Sequence, residues 1–307
     1  MISEPRPDHI VWMDGSFLPW RDATMPLSAN HFGFGVFEGV RSYAAGRKTS
    51  IFRLEDHTAR LFRSAHMMRI AIPHPYDREY LNSVQVELIK KNRLRDAYVR
   101  PFVFHGGISG LSPDTRQTSV HVAVLALEWS SASPGARGIS LRTSTLTRQH
   151  PNSLLLKAKA NGNYINGMLA LREAQASGAD DALLLDQDGL ATETSGANIF
   201  AVRNGVIQTP PLTSALEGIT RDTVIQLADA IGTSVAERQM TRDDLYAADE
   251  IFITGTAAEV RSVREFDGRK IGSGEVGPIT HQLQTQYAAL VRGQASGNPR
   301  WLTHVDE

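Results

Sequence analysis

Apolar residues recur along this chain in two rhythms, one of period two and one near 3.6, and the switches between them outline its elements. Residues 9–20, "HIVWMDGSFLPW", alternate around Asp14-Gly15 and predict a hairpin. Helical spacing follows over 54–70 and over 77–92, where Asp77 is placed to cap and Tyr80, Leu81, Val84 and Leu88 share a face. "AYVRPFVF" (97–104) and "SVHVAVLALEW" (119–129) then predict strands, so the first part is an α+β unit. "SSASPGARG" (130–138) is small, polar and broken by Pro134-Gly135, the composition of a linker.

Beyond it "ISLRTSTLT" predicts a strand, and 164–177 a helix closed by Gly178. Residues 181–211 predict a strand series with Asp188-Gly189 and Asn204-Gly205 turns, and 219–232 a further helix. Thr241 and Asp244 have capping-box spacing before "DLYAADEIF". A last helix is expected over 278–292, opened by Pro278, with Ile279, Leu283, Tyr287, Leu290 and Val291 aligned. No internal repeat is visible. The expected division is 1–129 as a small domain, 130–138 as linker and 139–307 as a larger domain.

Composition narrows the chemistry. The 32 Lys and Arg nearly balance 33 Asp and Glu, so no net field favours nucleic acid or an anionic membrane, and an anionic ligand needs local donors. The absence of cysteine excludes disulfides, thiolate metal sites and a cysteine nucleophile. The first residues lack the apolar core of a signal peptide and no run approaches the ~20 apolar residues that span a bilayer, which predicts a cytoplasmic protein. The ten histidines show no HxxxH spacing, so no metal site is expected, and no G-x-S-x-G elbow supports a serine hydrolase. The glycine-rich stretch 106–116 lacks GxGxxG or P-loop spacing and is expected to fold over an active site instead.

"LLLKAKANGNYING" (154–167) sets two lysines inside an apolar run. On a strand Lys157 and Lys159 would share a face. A lysine taken out of water offers a neutral, nucleophilic amine suited to Schiff-base chemistry, whereas two lysines with packed stems and hydrated heads would do nothing of the kind.

Five stretches, in order, decide between these: "FGVFEGVRSY" (34–43), "AYVRP" (97–101), "KANGNY" (159–164), "GITRD" (218–222) and "TGTAAE" (254–259). From about residue 9 to 303 the chain resembles the branched-chain amino acid aminotransferases, class IV aminotransferases of pyridoxal-phosphate fold type IV. The resemblance implies an α/β (α+β) fold of two domains, the smaller N-terminal one α+β and the larger C-terminal one a pseudo-barrel, with pyridoxal 5'-phosphate in the cleft between them. It selects Lys159 as the Schiff-base lysine and proton shuttle, Tyr164 as donor to the ring 3'-oxygen and Glu193 as the acid at the pyridine nitrogen. It places Leu216 against the ring. For the phosphate it implies Arg60, the helix start at Gly218, Ile219 and Thr220, and Gly255 with Thr256. The substrate α-carboxylate falls to the amides of Thr256 and Ala257, its side chain to Phe37, Tyr98 and Trp129, and the second carboxylate of glutamate or 2-oxoglutarate to Arg41 and Arg100.

The implied reaction is amino transfer between leucine, isoleucine or valine and a 2-oxo acid, in a homodimer or larger assembly. D-amino acid aminotransferases, (R)-selective amine aminotransferases and aminodeoxychorismate lyases share the fold and stay open as alternatives. Three positions depart from the pattern. Phe32 stands where many relatives carry a tyrosine able to hydrogen-bond a carboxylate, Ala197 where they often carry glutamate, and "SSASPG" where many have an aromatic-containing loop.

Overall fold

The computed structural model describes residues 5–25, 27–107, 119–295 and 297–305. From residue 108 onward, the glycine-rich stretch expected to cover an active site lies outside the described residues. By its contacts the chain divides into one unit of Met1–Ser131, Ala158–Gly162 and Val291–Glu307 and a second of Ala132–Lys157 and Asn163–Leu290.

The first unit is built on an antiparallel sheet. Its strands run in the order Leu302–Val305, Lys48–Phe52, Val40–Ala45, Ala97–His105, Val120–Glu128, Ile10–Met13 and Ser16–Pro19, and Gly35–Phe37 pairs along the second half of Ala97–His105. The predicted hairpin turns at Asp14 and Gly15, both at positive φ (47° and 93°), the backbone that an Asp-Gly turn supplies. Alternation sends Val99, Val103, Val122 and Val124 to one face of the sheet. Helices α1 (Leu54–Met67) and α2 (Arg78–Lys91) add Leu54, Leu61, Ala65, Leu81, Val84 and Leu88 to the same core. Each leucine or valine among them contributes roughly 1.5–3 kcal/mol on burial. The Asp77 carboxylate accepts from the Tyr80 amide at 2.8 Å, which caps α2 as its spacing predicts.

Two later stretches join this core and make the division less simple than a single cut near 130–138. Ala158 and Ala160 pack within it, Ala160 forming an isolated bridge with Val36, and Leu302–Val305 adds an edge strand to Lys48–Phe52. Residues 154–160 are turns and bends with that single bridge, so the strand on which Lys157 and Lys159 would share a face does not form. Each lysine is held by a different unit. Lys157 Nζ donates to the Leu212 carbonyl and lies 3.9 Å from Glu217 Oε1. Lys159 is tied down among residues of the first unit.

In the second unit six strands close a ring: Asp181–Leu185, Ile139–Thr143, Glu259–Phe266, Glu250–Gly255, Asn198–Arg203 and Ala191–Thr194, which pairs back to the first. Closure runs through one pair, Glu193 opposite Asn198. Ile199, Ile251, Ile253 and Val263 face one core with Leu141, Leu183 and Phe266. The alternate positions Phe200 and Phe252 stack 4.8 Å apart on the other face. Four helices belong to this unit: α3 (Tyr164–Ala176), α4 (Ile219–Ala230), α5 (Arg242–Tyr246) and α6 (Pro278–Leu290). The Thr241–Asp244 capping box opens α5 and Gly178, at φ 84°, follows α3, both as predicted. Among the described residues no helix is long and apolar enough to cross a membrane.

Candidate active site

Lys159 is fixed by its backbone. Its amide donates to Ser64 Oγ on α1 at 3.0 Å, and its carbonyl accepts from the Phe37 amide at 3.0 Å. The side chain brings Nζ to 5.1 Å from the centroid of the Phe37 ring, a cation–π distance. Close approach of the lysine segment to the strand depends on Gly35, where a Cβ would lie 2.8 Å from Val103 O and 3.1 Å from Asn161 Nδ2.

Beside Phe37 stands a polar cluster that is almost wholly enclosed. Glu38 is buried and receives both donors on one edge of an arginine fork, Arg60 Nε at 2.6 Å and Nη2 at 2.9 Å. His57 Nδ1 lies 2.8 Å from Glu38 Oε2, and with a carboxylate as its partner this nitrogen carries the ring proton. Burial alone would raise the Glu38 pKa, but the Arg60 charge with hydrogen bonds from Arg60 and His57 outweighs it and holds the carboxyl well below the usual carboxylate range. Burial pushes His57 below its ordinary value, more than Glu38 lifts it, so the imidazole is neutral.

The aromatic residues of the first unit converge with two arginines. The Tyr98 and Trp129 rings are 5.3 Å apart, and Arg100 Nη2 donates to the Tyr98 hydroxyl at 3.0 Å. The Arg100 guanidinium also lies 5.2 Å from the Phe37 ring, which places it and Lys159 on one aromatic group. Its Nε is buried and has no hydrogen-bond partner among the described residues. Arg41 is buried and differently engaged: Nη2 donates to Trp129 O and to Ser131 Oγ, both at 3.0 Å, and its guanidinium stacks on Tyr43 and Trp129. Phe32 is about half exposed and stacks on His31.

The second unit gathers the other expected residues around its ring closure. Glu193 is buried, with Arg148 Nη2 2.5 Å from Oε1 and the Leu216 amide donating to Oε2 at 3.1 Å. Arg148 Nε also donates to Ser214 O at 3.2 Å, so one guanidinium holds both the acid and the loop carrying Leu216. Asn198, opposite Glu193 on one side and Thr254 on the other, donates from Nδ2 to Leu216 O at 3.1 Å. Its Oδ1 occupies the space a Cβ on Gly218 would take, which explains glycine at the N-cap of α4 although its φ of −70° suits any residue. Ile219 and buried Thr220 then form the first turn of α4, whose amides lack intrahelical partners. Thr254 Oγ1 is buried without a hydrogen-bond partner among the described residues, and Gly255 follows it, with Thr256 and Ala257 in the next turn. Tyr164 opens α3, which can lie against the loop after Glu193 because a Cβ on Gly167 would run into Ser195 O.

Glu38, His57, Ser64, Arg148 and Asn198 escaped the sequence reading. A usable sign existed on one helix: His57, Ser64 and the expected Arg60 all fall on the buried side of α1, where a polar residue needs a partner. Arg148 and Asn198 show no comparable sign, since their partners come from distant loops.

Comparison with known proteins identifies the family. The family model described as Amino-transferase class IV matches residues 35–266. A branched-chain-amino-acid aminotransferase of Pseudomonas aeruginosa is 46% identical over 97% of this chain and 98% of its own length. Two solved structures of the T.th. branched-chain amino acid aminotransferase, one with pyridoxamine 5'-phosphate and one complexed with N-(5'-phosphopyridoxyl)-L-glutamate, are 40% and 41% identical. They superpose with TM-scores of 0.93 and 0.92, each over 97% of this chain and 99% of the solved one. Identity of this extent over nearly the whole length makes the chain a class IV aminotransferase of the branched-chain amino acid aminotransferase family.

Proposed function

We propose that this chain catalyses reversible amino transfer between leucine, isoleucine or valine and a 2-oxo acid such as 2-oxoglutarate, with pyridoxal 5'-phosphate held by Lys159. The observation that carries the reading is the anchoring of Lys159, with Ser64 and Phe37 fixing its backbone on both sides and an aromatic face beneath its amine.

The donors fit the cofactor by their chemistry. A buried carboxylate, Glu193, suits a ring nitrogen that bears a proton, and the amides of Ile219 and Thr220 at a helix start suit a phosphate dianion. Thr254 Oγ1 is a further buried donor without a hydrogen-bond partner among the described residues. When bound, pyridoxal phosphate supplies the aldehyde that condenses with amines and the cationic ring that accepts the electrons left when Cα loses its proton.

Each residue then has a task. Lys159 Nζ takes the proton from the substrate Cα and returns it. Glu193 accepts a hydrogen bond from the ring N–H, and Arg148 stands beside it as a buried counter-charge. Tyr164 donates to the 3'-oxygen and Leu216 packs on the ring. Arg60, the first turn of α4 with the Thr220 hydroxyl, and Gly255 with Thr256 bind the phosphate. The amides of Thr256 and Ala257 hold the α-carboxylate. Phe37, Tyr98 and Trp129 meet the aliphatic side chain, each methylene removed from water adding about 0.8 kcal/mol. For the second carboxylate of glutamate the candidates are Arg100, which donates from Nη2 to the Tyr98 hydroxyl, and Arg41, which donates from Nη2 to Trp129 O and Ser131 Oγ. The same reading makes the protein a cytoplasmic homodimer or larger assembly, a state that sedimentation measures directly.

The test is visible absorption of the purified protein, bleached by borohydride and lost in Lys159→Ala. A donor panel with 2-oxoglutarate and pyruvate should show activity on L-leucine, L-isoleucine and L-valine. Colour that survives Lys159→Ala, or strong activity on D-alanine alone, overturns the assignment.

A further inference from the structure

We infer that Glu38, backed by His57, is a positioning residue that sets the direction of the Arg60 guanidinium toward the cofactor phosphate. The inference rests on the reading of Arg60 as a phosphate ligand.

Arginine binds a phosphate well because its planar fork presents paired donors, but its stem has several rotatable bonds, and a fork free to turn loses that advantage. Glu38 removes the freedom. Two contacts, Nε to Oε1 at 2.6 Å and Nη2 to Oε2 at 2.9 Å, fix the plane, and planarity then sets where the Nη1 edge points. The carboxylate is itself prevented from turning: His57 donates to Oε2 at 2.8 Å and the Gly39 amide reaches the same oxygen at 3.3 Å. Backbone contacts hold the base of the cluster, since the Glu38 amide donates to Pro101 O at 2.9 Å while the adjacent Phe37 amide holds the Lys159 carbonyl. His57 and Arg60 stand three residues apart on α1, one turn from Ser64, the residue that anchors the Lys159 amide. One helix face therefore orients both the lysine and the arginine.

An opposing effect exists, and it makes the inference testable. Glu38 carries the charge that cancels Arg60, so it weakens the long-range attraction for a dianion while it aligns the donors. If alignment governs, Glu38→Gln lowers phosphate affinity; if charge governs, it raises it. The carboxamide puts an N–H₂ donor against Arg60 and His57, which breaks the paired contact and frees the fork.

The experiment titrates apoprotein with pyridoxal 5'-phosphate and separately with pyridoxal, which lacks the phosphate, and takes the ratio by which the phosphate improves affinity. Arg60→Gln should reduce this ratio. Glu38→Gln should reduce it roughly tenfold or more, the scale of a lost charge-assisted hydrogen bond. Pyridoxal affinity should stay unchanged, and Glu38→Gln added to Arg60→Gln should have no further effect on the ratio. His57→Leu, which keeps the volume and removes the donor, should reduce the ratio by a smaller factor, and it carries the test if circular dichroism shows that Glu38→Gln does not fold. The inference is overturned if Arg60→Gln lowers the ratio while Glu38→Gln leaves it unchanged or raises it, or if Glu38→Gln weakens pyridoxal and its phosphate alike. With Glu38→Gln unfolded, a His57→Leu ratio equal to wild type overturns it. If Arg60→Gln itself leaves the ratio intact, the phosphate role of Arg60 fails and the inference falls with it.

Discussion

Gly35→Ala tests whether the lysine segment owes its position to backbone packing. The added Cβ would lie 2.8 Å from Val103 O, 2.9 Å from Phe104 Cβ and 3.1 Å from Asn161 Nδ2, against 3.4 Å for ordinary contact. The two nearest atoms are a backbone oxygen and a Cβ, neither of which can rotate away, so the strand Gly35–Phe37 must shift by 0.6 Å to clear Val103 O. A displacement of that size along the 3.0 Å bond from the Phe37 amide to Lys159 O stretches it to about 3.6 Å, past hydrogen-bond length. Overpacking costs about 1–3 kcal/mol. The weakened hydrogen bond adds about 0.5–1.5 kcal/mol. Reduced freedom of the unfolded chain returns about 0.4–1 kcal/mol. A net loss of about 0.5–4 kcal/mol follows, with weaker cofactor binding because Lys159 moves with the strand.

Gly162→Ala is the matched comparison. It lies three residues from Lys159, its Cβ would meet nothing within 4 Å and its φ is not positive, so only the unfolded-state effect of about 0.4–1 kcal/mol in favour of folding remains. Chemical denaturation of the two apoproteins, followed by far-ultraviolet circular dichroism, reads the difference. A Gly35→Ala protein as stable as wild type, or a Gly162→Ala protein destabilised equally, refutes the packing argument.

Further predictions concern other contacts. In Gly39→Ala the Cβ overlaps the Tyr98 hydroxyl, so KM for branched-chain substrates should rise with a smaller change in kcat, and Tyr98→Phe in the same chain should recover part of the loss. In Arg148→Met the buried Glu193 carboxylate loses its counter-charge, and denaturation should show a loss of about 3–5 kcal/mol. Acid should destabilise the protein in two ranges. His57 has a lowered folded pKa, so the unfolded chain binds the proton first and stability falls as pH drops below about 6.5. Glu38, also lowered, loses stability as pH drops below about 4.5 and continues to lose it toward its folded value. Each group contributes a slope of up to about 1.4 kcal/mol per pH unit, and His57→Leu should remove the upper range in denaturation curves taken between pH 7 and 4.

The elements were legible where local chemistry decides them: the Asp14-Gly15 turn, the Asp77 cap and the Thr241–Asp244 box each need only residues within a few positions. The lysine stretch was not, because an apolar run states only that the segment is covered. Ala158 and Ala160 are covered by packing into a core begun more than a hundred residues earlier, without a strand. The same limit applies within the site. Motifs pointed to the residues proposed for cofactor chemistry, while the groups that hold them are paired across long separations, Arg148 with Glu193 and Glu38 with Arg60.

A buried ion pair announces itself in sequence only by half. Arg60 and His57 sit on the buried face of a helix, and burial without a partner would cost several kcal/mol, so a counter-group had to exist. Glu38 meets the requirement from inside an apolar stretch, between Phe37 and Gly39, where a lone carboxylate would be equally costly. Neither residue is tolerable there alone, and each accounts for the other. Two charges placed at core positions on separate elements therefore constrain how those elements pack: α1 can dock on the strand end at Phe37 only in the register that joins them, and that same register presents Ser64 to the Lys159 amide.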